Sequence, residues 1–324
     1  MGSRVWAAVG TAVMCCAAGV APAFAGEPGP FRLLNDNPPP PRMLVQTDYE
    51  SVYAPPDPIS ANTGVNEGGV HLAVDLLYMS DYIYRGINES NRIAAARAVG
   101  DDVPRPDFSE TAANIQIDTR LSFDLGKAPH PFVGVFVNTF DADPESRFQE
   151  IRPVVGFEWT LRPIIFEAGH LSYIYPDRDQ LNTTEVYGKI TLDDSYFLRT
   201  DEPIFSPYVY AAYDYDLYDA VYLEAGVQHD FILEGTGIVV TAQACIAYVN
   251  GNELYAKPGS DDDTGFQHYQ LGLIGSYRLN PLLNIPKRYG DWTLKGYLFY
   301  TDGLDDDLEA DTELYGGAGI GFRY

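Results

Sequence analysis

From Val70 onward the chain repeats one pattern: segments of ten or more residues in which apolar and polar side chains alternate, separated by turn-forming or acidic stretches. VHLAVDLLY puts Val70, Leu72, Val74, Leu76 and Tyr78 on one face and His71, Ala73 and Asp75 on the other. ANIQIDTRLSFDL sets Ile115, Ile117, Leu121 and Phe123 against Asn114, Gln116, Asp118, Arg120 and Ser122. IRPVVGFEWTL separates Ile151, Val155, Phe157 and Trp159 from Arg152, Gly156 and Glu158 in the same way. A period of two is the signature of a β-strand with two different environments, and helix-period segments of useful length are missing. The pattern predicts about twelve strands, near 69–85, 111–124, 131–140, 149–161, 164–175, 184–192, 206–214, 220–231, 237–249, 266–279, 291–301 and 313–324.

Strands of this length and even number fit a transmembrane antiparallel up-and-down β-barrel, all-β, of about 12 strands. A soluble sandwich also alternates, but its strands run nearer five or six residues and its outward face is polar. No apolar run of about 18 residues follows the first 25, so a membrane helix is not expected; a barrel needs none. The net charge of -25 repels phosphate backbones and argues against nucleic acid as a partner.

Residues 1–25 combine Arg4, an apolar run of small residues and Ala23-Phe24-Ala25, the form of a cleavable export signal. Cys15 and Cys16 lie inside that run, which leaves Cys245 as the one cysteine of the exported chain and no disulfide framework. Residues 26–68 hold Pro38 to Pro41 and keep neither period, so they read as a flexible periplasmic segment, with 69–324 as the barrel. The outer membrane is the expected location, with its lipid and the barrel-assembly machinery as partners.

If the first strand runs outward, alternate connections fall outside the cell, and these hold DADPES, PDRDQ, GSDDDTG and DGLDDDLEADTE. The opposite connections carry Lys127, Arg162, Lys287 and Arg288; the acidic stretch 193–205 departs from this segregation. Asp261–Asp263 and Asp305–Asp307 offer carboxylates to divalent cations, although neither has the spacing of an EF-hand loop, and solvated loop tips explain them as well. The inward phase of the strands gathers a mixed charge network. Its acids are Asp75, Asp81, Asp118, Glu158, Glu185 and Glu224, and its bases Arg85, Arg120, Arg152, Arg278, Lys295 and Arg323. Such a mixture braces a barrel or lines a small pore, whereas a dedicated anion channel shows an excess of one sign. Twelve strands enclose less space than the 16–18 of general porins.

Ser80-Asp81-Tyr82-Ile83-Tyr84-Arg85-Gly86-Ile87-Asn88-Glu89-Ser90 resembles the SDY-x-x-RG-x-x-x-S signature of a Gcw_chp-like family of exported bacterial proteins of uncharacterised function. Tyr173-Ile174-Tyr175-Pro176 and Thr184-Glu185-Val186-Tyr187 are similar to that family's Y-x-YP and E-x-Y segments. The resemblance covers roughly residues 70–215 and implies an outer-membrane-type barrel, without a reaction. On the residues themselves, Asp81 and Arg85 share a strand face and suit lumen charge pairs with each other or with neighbouring strands, Gly86 suits the turn into the first outer loop, and Tyr78, Tyr82 and Tyr84 suit the membrane interface.

His170 and Ser172 share one strand face, as a base and a nucleophile must, and lipid A deacylases use a similar His-x-Ser pair; Glu167 falls on the opposite face, so no orienting carboxylate is identified. No cofactor or metal is expected, and an enzyme is not the first reading. That reading is a narrow channel for small polar solutes, with a structural or surface-interaction barrel as the alternative and a lipid-modifying enzyme third. The ending LYGGAGIGFRY reads as the closing strand, with Phe322 and Tyr324 as an assembly signal, and Gly317, Gly319 and Gly321 leaving lumen space beside Asp75 or Leu77.

Overall fold

A computed structural model describes residues 69–89, 113–140, 150–176, 181–233, 235–251, 255–257 and 263–324. The expectations for 1–25 and 26–68, and for Asp261 and Asp262, lie outside the described residues.

The strands are β1 (Val70–Met79), β2 (Ile83–Tyr84), β3 (Ile87–Asn88), β4 (Asn114–Phe123), β5 (His130–Phe140), β6 (Glu150–Leu161) and β7 (Ile164–Tyr173). They continue with β8 (Thr183–Leu192), β9 (Tyr208–Asp214), β10 (Ala220–Leu233), β11 (Ile238–Asn250), β12 (Thr264–Arg278), β13 (Asp291–Gly303) and β14 (Glu313–Arg323). Twelve of them close into one antiparallel barrel in which each neighbour in sequence is a neighbour in space, and β1 pairs with both β4 and β14. Closure leaves no sheet edge with unpaired backbone groups, which is what allows a sheet to sit in hydrocarbon. Short helical turns α1 (Ser195–Leu198) and α2 (Leu279–Leu283) lie in the two longest connections at the end where β1 begins and β14 finishes.

The alternation read from sequence sorts the two surfaces. On β1, Leu76 and Tyr78 are about half exposed, while Ala73, Asp75 and Leu77 are buried. On β12 and β13, Leu271, Leu273, Leu294 and Leu298 form an exposed apolar band, and Gln270, Ile274, Lys295, Tyr297 and Phe299 point into the lumen. An apolar outer band on a closed barrel faces lipid, so the chain is a membrane-spanning barrel of the outer-membrane type.

The seam closes as the glycine spacing requires. Tyr324 and Leu72 exchange backbone hydrogen bonds at 2.8 and 2.9 Å. A methyl group on Gly321 would stand 2.7 Å from Asp75 Oδ1 and 2.8 Å from Lys295 Cε, so the absence of a side chain makes room for the ion pair beside it. Gly319 and Gly317 give the same room to Leu77 and Met79. The acidic connection 193–205 has a structural use: the buried Asp194 carboxylate accepts the backbone N–H groups of Ile204 and Phe205, both at 2.8 Å.

One element differs from the sequence reading. The first wall strand ends at Met79, not near residue 85, and residues 82–89 turn back as the two-stranded hairpin β2–β3. Its turn residues Arg85 and Gly86 both have positive φ, 49° and 76°, the backbone of the tight turn that matches strand twist. Tyr82, Ile83, Arg85 and Ile87 are all buried, so the hairpin lies inside the barrel mouth and not along the wall.

Candidate functional site

The inserted hairpin organises the end of the lumen opposite the start of β1 and the end of β14. Arg85 at its tip reaches across to β8, where Nη2 bonds both oxygens of Glu185 at 2.8 and 3.0 Å. Its Nη1 donates to Tyr255 Oη at 2.9 Å, and its guanidinium lies 4.4 Å from the Tyr222 ring centre. Tyr173 donates to the same Glu185 at 2.8 Å and hydrogen-bonds the Tyr84 hydroxyl. The pair is buried to 5% and 1% exposure on the two side chains. A buried ion pair holds only when its remaining polar atoms are satisfied, and the Tyr255 and Tyr173 hydroxyls supply such partners. Gly86 is required at the tip because a β-carbon there would meet His268 Cγ at 2.5 Å.

Of the two kinds of partner open to Arg85, Asp81 or another strand, the structure gives the second: it pairs with Glu185 on β8, because the chain leaves the wall after Met79, and Asp81 is buried at the base of the hairpin. Two expectations are corrected. Gly86 serves a turn inside the lumen. Tyr82 and Tyr84 are not interfacial either: Tyr82 is 1% exposed, stacks on Phe136 and donates to Glu150 Oε2 at 2.7 Å. Tyr78 alone of the three faces lipid. The other flank of the hairpin is held by the β13–β14 connection, where Asn88 N–H donates to Asp311 Oδ2 at 2.7 Å and Asp311 N–H to the Gly86 carbonyl at 2.8 Å.

Below the hairpin the charges form groups of mixed sign. Arg120 on β4 contacts Glu167 at 3.0 Å and Glu158 at 3.6 Å and lies against the Phe132 ring; Tyr187 donates to Glu167 at 3.0 Å. Lys189 sits over Tyr208, which hydrogen-bonds Glu224, and Tyr222 donates to Glu224 at 2.9 Å. At the seam Asp75 accepts from Lys295 at 2.6 Å and Arg323 at 2.7 Å, with Asp118 opposite Asp75 in the β1–β4 register. Arg278 is half-buried at the end of β12. Phe322 packs against Trp292 and Tyr324 at the foot of the seam.

The sequence pattern missed Tyr82, Phe136, Asn138 and Glu150 as one group. Strand register makes them neighbours, with Gln116 opposite Asn138, Asn138 opposite Glu150, and Phe136 opposite Arg152. Their inward phase was visible in the alternation; their alignment depends on loop lengths that set register.

His170 and Ser172 share the outward face of β7, as expected, while Glu167 points into the lumen. The His170 Nε2 atom is 2.7 Å from Tyr215 Oη, so that nitrogen is engaged by a tyrosine and not by Ser172. Among the acidic tips, Asp305 accepts the Asp307 N–H at 3.0 Å and Lys257 Nζ donates to the Asp306 carbonyl at 2.9 Å. Among the described residues no three His, Cys, Asp or Glu side chains converge as metal ligands.

No protein-family model matches the chain, and no curated protein matches it. Among solved structures it is similar to the NanC porin, at 12% identity and a TM-score of 0.44, over 78% of this chain and 98% of that one. LpxR from Salmonella typhimurium follows at 13% identity and 0.41, over 78% and 99% of the two chains. An outer membrane channel from Pseudomonas putida F1 matches at 10% and 0.44, over 81% and 98%.

Proposed function

We propose that this chain is a gated outer-membrane passage for small polar solutes, held closed in the conformation described. The observation that carries the reading is the β2–β3 hairpin: the mouth is filled by a separate element pinned by side chains, while the wall beside it stays continuous. A barrel serving only as a scaffold can close its lumen with apolar side chains, at no cost in buried charge. Here the lining from Asp75 to Glu185 buries charges of both signs, acids such as Glu150 and Glu167 beside Arg85, Arg120 and Arg152, among aromatic rings, which suits a polar solute and not an anion.

A second reading, a structural barrel without transport, is favoured by one observation: the buried contacts Arg120–Glu167 and Lys295–Asp75 tie strands together below the hairpin. Conductance in planar bilayers separates the two. Wild type is expected to stay mostly closed, and a variant with residues 81–88 replaced by a Gly-Ser linker is expected to give sustained small openings. A plug-less barrel that is folded, by heat-modifiable electrophoretic mobility, and yet silent removes transport and leaves the structural reading.

A further inference from the structure

The lumen wall behind the hairpin carries a two-by-three grid of inward side chains. Its upper row is Gln116, Asn138 and Glu150, and its lower row Asp118, Phe136 and Arg152, on β4, β5 and β6 in register. Strand spacing makes the grid about 9.5 Å wide and about 7 Å tall, the scale of a six-membered ring with its substituents.

Tyr82 covers this grid. Its ring lies parallel to Phe136, with centroids 6.2 Å apart at 16°, and its hydroxyl donates to Glu150 at 2.7 Å. The hairpin thus presents a flat ring with a hydroxyl group to an aromatic face and a carboxylate.

The amides beside it keep three polar atoms without hydrogen bonds among the described residues. Asn138 is fully buried, and both its Oδ1 and its Nδ2 are among the three; Gln116 is 2% exposed, and its Oε1 is the third. The Gln116 Nε2 is committed to Asn114 Oδ1 at 3.0 Å. Buried amides without partners each cost on the order of 1–3 kcal/mol, and native proteins keep few of them. Tyr82 brings one hydroxyl, which Glu150 takes, and so cannot serve these three atoms.

Charge narrows the ligand. Glu150 Oε1 is 2.7 Å from Arg152 Nε, and Asp118 lies in the field of Lys295, so the grid offers dipoles and balanced pairs and no free charge. A sugar acid or amine would have to break the Glu150–Arg152 pair.

We propose that the pocket filled by Tyr82 is a binding site for a small uncharged, hydroxylated ring or chain, a neutral sugar or polyol, with Tyr82 as its built-in competitor. The C–H face of such a solute takes the place of the tyrosine ring on Phe136, one hydroxyl replaces the phenol at Glu150, and others meet Asn138 and Gln116. The proposal rests on the gated-passage reading and gives it a substrate class.

The test is equilibrium dialysis of the full-length barrel in detergent with labelled glucose and sorbitol, and with glucuronate and glucosamine as charged comparators. Tyr82→Ala is expected to bind glucose at least tenfold more tightly than wild type, and adding Asn138→Leu or Phe136→Leu to reverse that gain. Glucuronate and glucosamine are expected to bind at least tenfold more weakly. A folded Tyr82→Ala barrel that binds neither neutral solute, or binds the charged ones equally, overturns the proposal. So does an Asn138→Leu change that leaves binding unaltered. If Tyr82→Ala does not assemble, Asn138→Leu in the wild-type background decides: relieved of its unpartnered amide, it should unfold at a higher temperature, and no increase counts against the site. Salt conductance of the same variants keeps the two failures apart. Conductance without sugar binding removes the site alone, and sugar binding without conductance removes the passage.

Discussion

The Arg85–Glu185 pair sets how firmly the hairpin stays in the mouth, and Arg85→Ala is the perturbation that measures it. In the closed state Glu185 would lose both Arg85 hydrogen bonds and keep that of the Tyr173 hydroxyl, at 2.8 Å, while its side chain stays 1% exposed. Removing one partner of a buried pair costs about 3–5 kcal/mol, because the other charge stays buried and unpaired. With the hairpin withdrawn Glu185 meets water, so the cost falls on the closed state alone. At about 1.4 kcal/mol per factor of ten, the closed-to-open ratio should fall by roughly 150- to 5,000-fold. Single-channel recording in planar bilayers reads this as open probability, with heat-modifiable mobility reporting an intact wall. Glu185→Leu should open the barrel similarly, since it strands Arg85. The double variant Arg85→Met with Glu185→Leu should recover much of the closure, because replacing both partners by apolar groups is often close to neutral. A folded Arg85→Ala barrel with unchanged open probability would falsify the plug as the gate. A double variant as leaky as either single one would show that bulk at the mouth, and not the ion pair, sets closure.

Two further changes probe the wall. Gly321→Val drives a side chain into Asp75 and Lys295 at the seam and should lower unfolding free energy by about 1–3 kcal/mol; Gly296→Ala, where nothing lies within 4 Å of the added carbon, is the near-neutral control. Equal effects in urea titrations followed by tryptophan fluorescence would refute the seam argument. Leu271→Arg places a charge on the half-exposed apolar band of β12 and should destabilise the barrel by about 2–4 kcal/mol in lipid vesicles; a shift under 0.5 kcal/mol, a roughly negligible surface effect, would mean that this band does not face hydrocarbon.

The wall was legible because a period of two leaves little freedom once one face must be apolar and the other packed. Leu76 and Tyr78 outside and Ala73, Asp75 and Leu77 inside follow from that period alone, and so do the seam glycines beside Asp75. The hairpin was not legible, and the reason is local. Ser80 to Tyr84 carry on the polar–apolar texture of the strand before them, and nothing in SDYIYRG states that Asp81 leaves the wall. The turn signal was present in Gly86, but an arginine precedes it where asparagine or aspartate is the usual residue with positive φ. Arg85 tolerates φ 49° because Glu185, Tyr255 and Tyr222 hold its side chain, an arrangement that exists only once β8, β10 and the β11–β12 connection have assembled around it. The same holds for the amide grid, since Gln116, Asn138 and Glu150 become neighbours through register. At the mouth local pattern and final structure part company inside the barrel: among the described non-glycine residues with positive φ, Arg85 is the buried one, and Asn138 keeps a buried amide whose two polar atoms have no hydrogen bond among the described residues. Natural chains often keep such inconsistencies where they are used, which makes the hairpin and the wall behind it the first place at which to test this barrel for function.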